Sequence, residues 1–312
     1  MPSLVQALDY EDSVNFVTAG EASAFGSSPF SHLCRKLGDR LQGVYFLGKG
    51  SSPYPTPVVA VCWADTHDQA RKLHKLLWNQ DFVPFVLVET VDTIRLYSGF
   101  RYQQPADSQE ESGLIEPLRD FNRIHEVLEG FRAGEIDDGA LWSKWGQHVD
   151  PSRRVDWHLL ANLEKLSQKL RGQELDKDTS HAFIGRFVYL RYLLDRGFLS
   201  PRKLERWGLK ESQVFSRDAR LRAFSKLNRL LDDETDGLNG CIFPFAKSAI
   251  TQEHLTTVAT AFCGDDPTRG QTVFDFAAYD FSYIPVETLS VIYEQFLHEP
   301  DTDQSTSSPG KR

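Results

Sequence analysis

Cysteine is scarce in this chain, and what there is lies scattered: Cys34, Cys62, Cys241 and Cys263 are the four among 312 residues. None stands in a CxxC pair, so neither a zinc knuckle nor a disulfide framework is indicated, and four reduced thiols are expected, as in a cytoplasmic protein. Long apolar runs are lacking as well. No stretch approaches the roughly 20 residues that cross a bilayer, so no membrane partner is expected. The opening "MPSLVQALDYEDSV" has no basic region followed by an apolar core, and no secretory signal is expected. Catalytic signatures are missing in the same way. There is no G-x-S-x-G elbow, and Gly48-Lys49-Gly50 lacks the spacing of a phosphate loop and reads as a hairpin-type loop.

What is present is ordinary for a soluble globular protein. Hydrophobic residues make up 40% and charged residues 25%, with room for about two domains. The net charge of −9 argues against a protein that simply coats nucleic acid. The charge is unevenly spread, however. From Arg186 to Arg229 there are twelve Lys or Arg against four acids, a local excess of +8, so the rest of the chain carries −17. Such asymmetry can mark a face turned to an anionic partner.

The order of elements points to an α+β fold: a small mixed α/β domain over 1–105, a polar linker over 106–113 and a helical domain over 114–297. "GVYFLG" (43–48) and "PVVAVCWA" (57–64) read as strands, "THDQARKLHKLLWNQ" (66–80) as a helix capped by Thr66, and 82–90 and 93–100 as two more strands turning at Val91–Asp92. Beyond the linker the apolar spacing is helical. Leu114, Leu118, Phe121, Ile124, Leu128 and Phe131 fall on one stripe, with Gly134 placed to end that helix. "SHAFIGRFVYLRYLLDRGFLS" (180–200) is apolar nearly all round and belongs at the centre of the helical domain. The tail 298–312 has the composition of a disordered segment.

The α/β part resembles restriction-endonuclease folds in outline. Those place an Asp on one strand and Glu-x-Lys on the next to hold Mg²⁺. Asp65 closes a strand here, but the next offers Glu89-x-Val91 without the lysine. A degenerate nuclease-like domain is therefore expected, with Asp65 and Glu89 as the ligands only under the alternative of a divergent Mg²⁺-dependent nuclease. No catalytic residue or metal site is otherwise assigned. His74 and the tryptophans Trp78, Trp142, Trp145 and Trp157 sit at helical spacing, where core packing outweighs metal ligation or base stacking. For the basic stretch two readings stand side by side, a solvated helical face or a phosphate-binding surface.

Two segments tip that balance. "LNGCIFPFAKSAITQEHLTTVATAF" (238–262) and "FDFAAYDFSYIPVETLSVIYEQFL" (274–297) carry Asn239-Gly240 with Phe243-Pro244, Tyr279-Asp280-Phe281, Ile284-Pro285-Val286-Glu287 and Ile292-Tyr293-Glu294. They resemble the region that precedes the catalytic domain in large adenine-specific N6 DNA methyltransferases, the fused type IIG restriction–modification enzymes and their phage-defence relatives. The resemblance spans about 180–297, with a vaguer likeness over 40–100. In that family a glycine-containing motif for S-adenosylmethionine and an Asn-Pro-Pro-Tyr motif follow. Neither occurs here, and Asn-Pro is absent throughout.

The resemblance thus implies a DNA-contacting and docking module of such an enzyme, a separate or truncated polypeptide that would not methylate DNA alone. S-adenosylmethionine would belong to its catalytic partner. Double-stranded DNA would meet Arg186, Arg191, Lys203, Arg206, Arg217, Arg220, Arg222, Lys226 and Arg229. A methyltransferase catalytic domain or chain would dock on Tyr279, Phe281, Ile284, Pro285, Leu289, Ile292, Tyr293 and Phe296. The third possibility is a protein interaction module that does not touch DNA.

Overall fold

The computed structural model describes residues 3–21, 29–49, 55–102, 111–233, 243–244, 249–263 and 276–298. It is an α+β fold. The chain divides into two compact units: Met1–His158 with Asp266–Pro285, and Leu159–Asp265 with Val286–Arg312. The tail 299–312, Asn239-Gly240 and residues 106–110 of the expected linker lie outside the described residues.

The first unit is built on a sheet. Helix α1 (Leu4–Ala7) begins at Ser3, whose hydroxyl accepts from the Gln6 N–H while the Gln6 side chain accepts from the Ser3 N–H. Then come β1 (Phe16–Thr18), α2 (Pro29–Leu37), β2 (Leu41–Leu47), β3 (Thr56–Trp63), α3 (His67–Gln80), β4 (Phe85–Glu89), β5 (Ile94–Ser98) and β6 (Leu114–Leu118). Among the described residues these form one sheet in the order β1-β2-β3-β4-β5-β6. β3 and β4 are parallel, joined through α3, and every other neighbouring pair is antiparallel.

Both faces of the sheet are covered, so its central strands are apolar without alternation. Val59, Val61, Phe85 and Leu87 point to a core shared with α1 and the segment after β6. Ala60, Cys62, Val86 and Val88 point to a second core with α2 and α3. Thr66 caps α3 as expected, its hydroxyl accepting from the Gln69 N–H at 3.2 Å. The helix ends at Asp81, left-handed at φ 52°, whose enclosed carboxylate takes the Arg154 guanidinium at 3.0 Å.

The expected helix from Leu114 is not formed. Residues 114–118 are the edge strand β6, and Pro117 stands opposite Arg95. Proline removes a donor and breaks a helix, but an edge strand tolerates it. Short helices follow instead: α4 (Ile124–Val127), α5 (Ala133–Asp137) and α6 (Ala140–Trp145). Gly134 lies inside α5 rather than at a helix end. Leu118, Ile124, Leu128 and Phe131 are nevertheless all buried in the sheet's first core. The division between units accordingly falls at His158, well past the 106–113 segment, and residues 266–285 return to the sheet unit.

Helix α7 (Val155–Arg171) runs from the first unit into the second, which is all helical among its described residues. It holds α8 (Lys177–Asp195), α9 (Pro201–Arg206), α10 (Leu221–Leu231), α11 (Gln252–Phe262) and α12 (Val286–Leu297). α8 is its centre, as the all-round apolar pattern predicts. Phe183 and Phe187 meet Phe224 of α10 at 5.4 and 5.0 Å between ring centroids, and Phe187 meets Phe262 of α11 at 5.6 Å. Gly185 lets the Phe243 ring and the Tyr293 hydroxyl of α12 close on the α8 backbone, for a Cβ there would stand 3.0 and 3.1 Å from them.

Candidate nucleic-acid interface

The basic stretch folds into α9, α10 and their connection. α9 opens on Ser200, whose hydroxyl accepts from the Lys203 N–H at 3.2 Å, and Pro201 presets its first turn. Leu204 is its buried anchor. Arg202 and Arg206 are exposed, and the half-exposed Lys203 holds its ammonium 5.2 Å from the Trp207 ring centroid. In α10 the buried residues are Phe224, Leu227, Asn228 and Leu231. That spacing leaves Arg222, Lys226 and Arg229, at i, i+4 and i+7, on the outer side as one ridge. Lys226 Nζ lies 3.3 Å from where a Cβ on Gly208 would be, so the ridge abuts the end of α9. Lys226 thus brings this ridge against the turn that follows α9.

The partners of these cations decide their availability. Among the described residues, none of Arg202, Lys203, Arg206, Lys210, Arg220, Arg222, Lys226 and Arg229 forms an ion pair. Unpaired cations in water cost little and attract anions over the whole face. Arg202, which the sequence marks only as one member of the basic run, belongs to this surface as well.

One expected DNA contact is corrected. Arg186 is 1% exposed within α8 and pairs with Asp232 of the α10 end at 2.8 Å, so it cannot reach a phosphate. It follows the helical apolar pattern of α8 inward, and its charge is carried by that pair. Arg191 is engaged with Asp195 at 2.7 Å and Glu211 at 3.1 Å. Arg217 is exposed in the connection before α10.

The two nuclease-type carboxylates do lie at neighbouring strand ends, since Trp63 of β3 pairs with Glu89 of β4. They do not make a metal site. Asp65 is tied to Arg40 at 2.7 Å, and that hydrogen bond holds its carboxyl below the usual range. Burial raises the Glu89 carboxyl, which meets Gln42 at 3.4 Å. The position of the missing lysine is taken by the exposed Val91. Among the described residues no group of three or more His, Cys, Asp or Glu is placed to hold a metal ion.

The stretch 279–297 is split between the units at Pro285. Most of its apolar residues are spent inside the chain, while Val286, Val291 and Leu297 stay exposed. Tyr279 stacks on Trp78 at 5.6 Å and its hydroxyl meets His158 Nδ1 at 3.0 Å, within the first unit. Asn79 of α3 fixes the same strip, receiving the Asp280 N–H at 2.9 Å and donating to the Ala278 carbonyl at 3.2 Å. In the second unit, Phe296 lies 4.2 Å from His181 of α8 and Tyr293 5.0 Å from Phe243. Tyr279, Phe281, Ile284, Leu289, Ile292 and Phe296 are all buried. Pro285 and Tyr293 are half-buried. The ridge expected to receive a catalytic partner is thus occupied by this chain itself, because a stripe that apolar gains more from burial than from water.

His74 is buried on the inner face of α3, stacked on Tyr97 at 4.5 Å, with Nε2 2.9 Å from the Ser98 carbonyl. It is a packed imidazole, and burial pushes it down to about 4. Trp78 and Trp145 are core residues, while Trp142 and Trp157 are exposed. No helix among the described residues is long and apolar enough to cross a membrane. No protein-family model matches this chain, and no curated protein or solved structure matches it either.

Proposed function

We propose that the helical unit binds the phosphate backbone of double-stranded DNA, as the DNA-contacting module of an adenine-specific methyltransferase system of the restriction–modification or phage-defence type. The observation that carries this reading is the run of exposed α9 and α10 cations, meeting where Lys226 approaches Gly208, that have no carboxylate partner among the described residues. Each such cation can replace condensed counterions along a duplex, which yields binding without sequence readout. The acidic balance of the remaining chain opposes DNA elsewhere and so favours this face. The methyltransferase context rests on the resemblance of 238–262 and 274–297. S-adenosylmethionine and adenine chemistry would reside in a separate catalytic domain or chain. Docking of that partner would use surface other than the buried 279–296 ridge.

Fluorescence anisotropy on a short duplex across a salt series tests the reading. Affinity should fall steeply with salt. The triple substitution Arg222→Ala, Lys226→Ala, Arg229→Ala should flatten the log–log slope by about 2 to 3 and weaken binding similarly across unrelated sequences. Salt-independent binding, or a slope untouched by the triple substitution, would overturn it. The nuclease alternative draws on Asp65 and Glu89 alone, and both are already engaged.

A further inference from the structure

Among the described Phe, Trp and Tyr residues, Phe198 is the most exposed, at 62%. Its place follows from the turn that ends α8. Gly197 is left-handed at φ 76°, a conformation glycine adopts freely, and its N–H reaches the Leu194 carbonyl at 3.0 Å. The chain then folds back, and the Leu199 N–H reaches the Leu193 carbonyl at 3.0 Å. Two apolar residues stand side by side here, and the backbone decides between them. Leu199 is fully buried, and the larger Phe198 is left facing water.

The chain that follows this ring is cationic. Two residues on, Ser200 begins a depression of about 650 Å³ lined by Ser200, Arg202, Lys203, Glu205 and Arg206. Three cations and one acid line it. A flat apolar ring two residues before the first lining residue of a cationic hollow matches one nucleotide in two parts, a base face for the ring and a phosphate for the hollow. Intact duplex supplies the phosphates but hides its base faces in the stack. Only an unpaired or kinked step presents a base to an exposed ring.

Building on the backbone-binding reading, we infer that the helical unit holds DNA at a distorted step, one base face stacked on Phe198 and the adjoining phosphates on Arg202, Lys203 and Arg206. The test is a competition between a perfect duplex and the same duplex carrying one unpaired base. The wild-type chain should prefer the bulged duplex by about tenfold, the usual range for one base–aromatic stack. Phe198→Ala should bring that ratio to about one, and Phe198→Trp should restore it. A wild-type ratio near one, or a preference that survives Phe198→Ala, overturns the inference while salt-sensitive binding of the perfect duplex leaves the backbone reading standing. If neither DNA is bound, the backbone reading falls and this inference with it.

Discussion

Arginine does opposite work in the two units. In the sheet unit most arginines meet acids, among them Arg40 with Asp65, Arg95 with Glu111, Arg132 with Asp9 and Arg154 with Asp81. In the helical unit Arg186 is matched with Asp232 and Arg191 with Glu211. Those of α9 and α10 stand in water, without ion pairs among the described residues. Paired, enclosed charge is coupled to folding, whereas open charge is coupled to whatever anion arrives. The same residue type therefore reports on stability in one place and on binding in the other.

The strongest way to break this contrast is to remove one member of the most enclosed pair. Arg95 and Glu111 are about nine-tenths buried, and the Tyr97 hydroxyl also donates to Glu111. Glu111→Ala strands a buried guanidinium and should cost about 3–5 kcal/mol in urea unfolding. A loss below 1 kcal/mol would show that this pair is not a folding element.

Next in size is an effect of pH. The folded His74 ring stays neutral down to about pH 4. The unfolded ring takes up its proton near 6.5, so the unfolded chain binds the extra proton between those values. Stability is therefore lost as pH falls through that window, by about 3 kcal/mol from this residue. His74→Gln should flatten that part of the wild-type stability profile. An unchanged profile would mean the ring is accessible to protons in the fold.

On the other side of the comparison, the Arg222, Lys226, Arg229 triple substitution should lower duplex affinity at ~0.1 M salt by about two orders of magnitude. Its smallest effect is the most telling. Arg222→Ala or Arg229→Ala alone should shift unfolding free energy by no more than about 0.5 kcal/mol, since exposed side chains of this kind contribute little to folding. A larger shift would make the α10 ridge structural and erase the distinction between the units.

Much of this was legible in local pattern. The runs 43–48 and 57–64, the Thr66 cap and the all-round apolarity of 180–200 each declare their element through spacing and side-chain chemistry. The segment after 113 was not legible in that way. Leu118, Ile124, Leu128 and Phe131 keep helical spacing, yet Pro117 and the free edge of β5 make Leu114–Leu118 a strand. Both structures bury the same residues, and periodicity cannot choose between them. At the basic surface the stretch itself was visible as a charge excess. The inward turn of Arg186 followed from its place on α8, but its partner Asp232 lies 46 positions away.

The amino-acid sequence by itself determined where strands and helices can form, where the positive charge concentrates and which residues are too apolar to remain in water. Tertiary structure alone decided which cations met a carboxylate, that 279–285 and 286–297 would serve different cores, and that Leu199 rather than Phe198 would go inside. The reason is physical. Propensity and hydrophobicity act over a few neighbouring residues, whereas ion pairs, sheet edges and burial depend on groups that only the completed fold brings within a few ångströms.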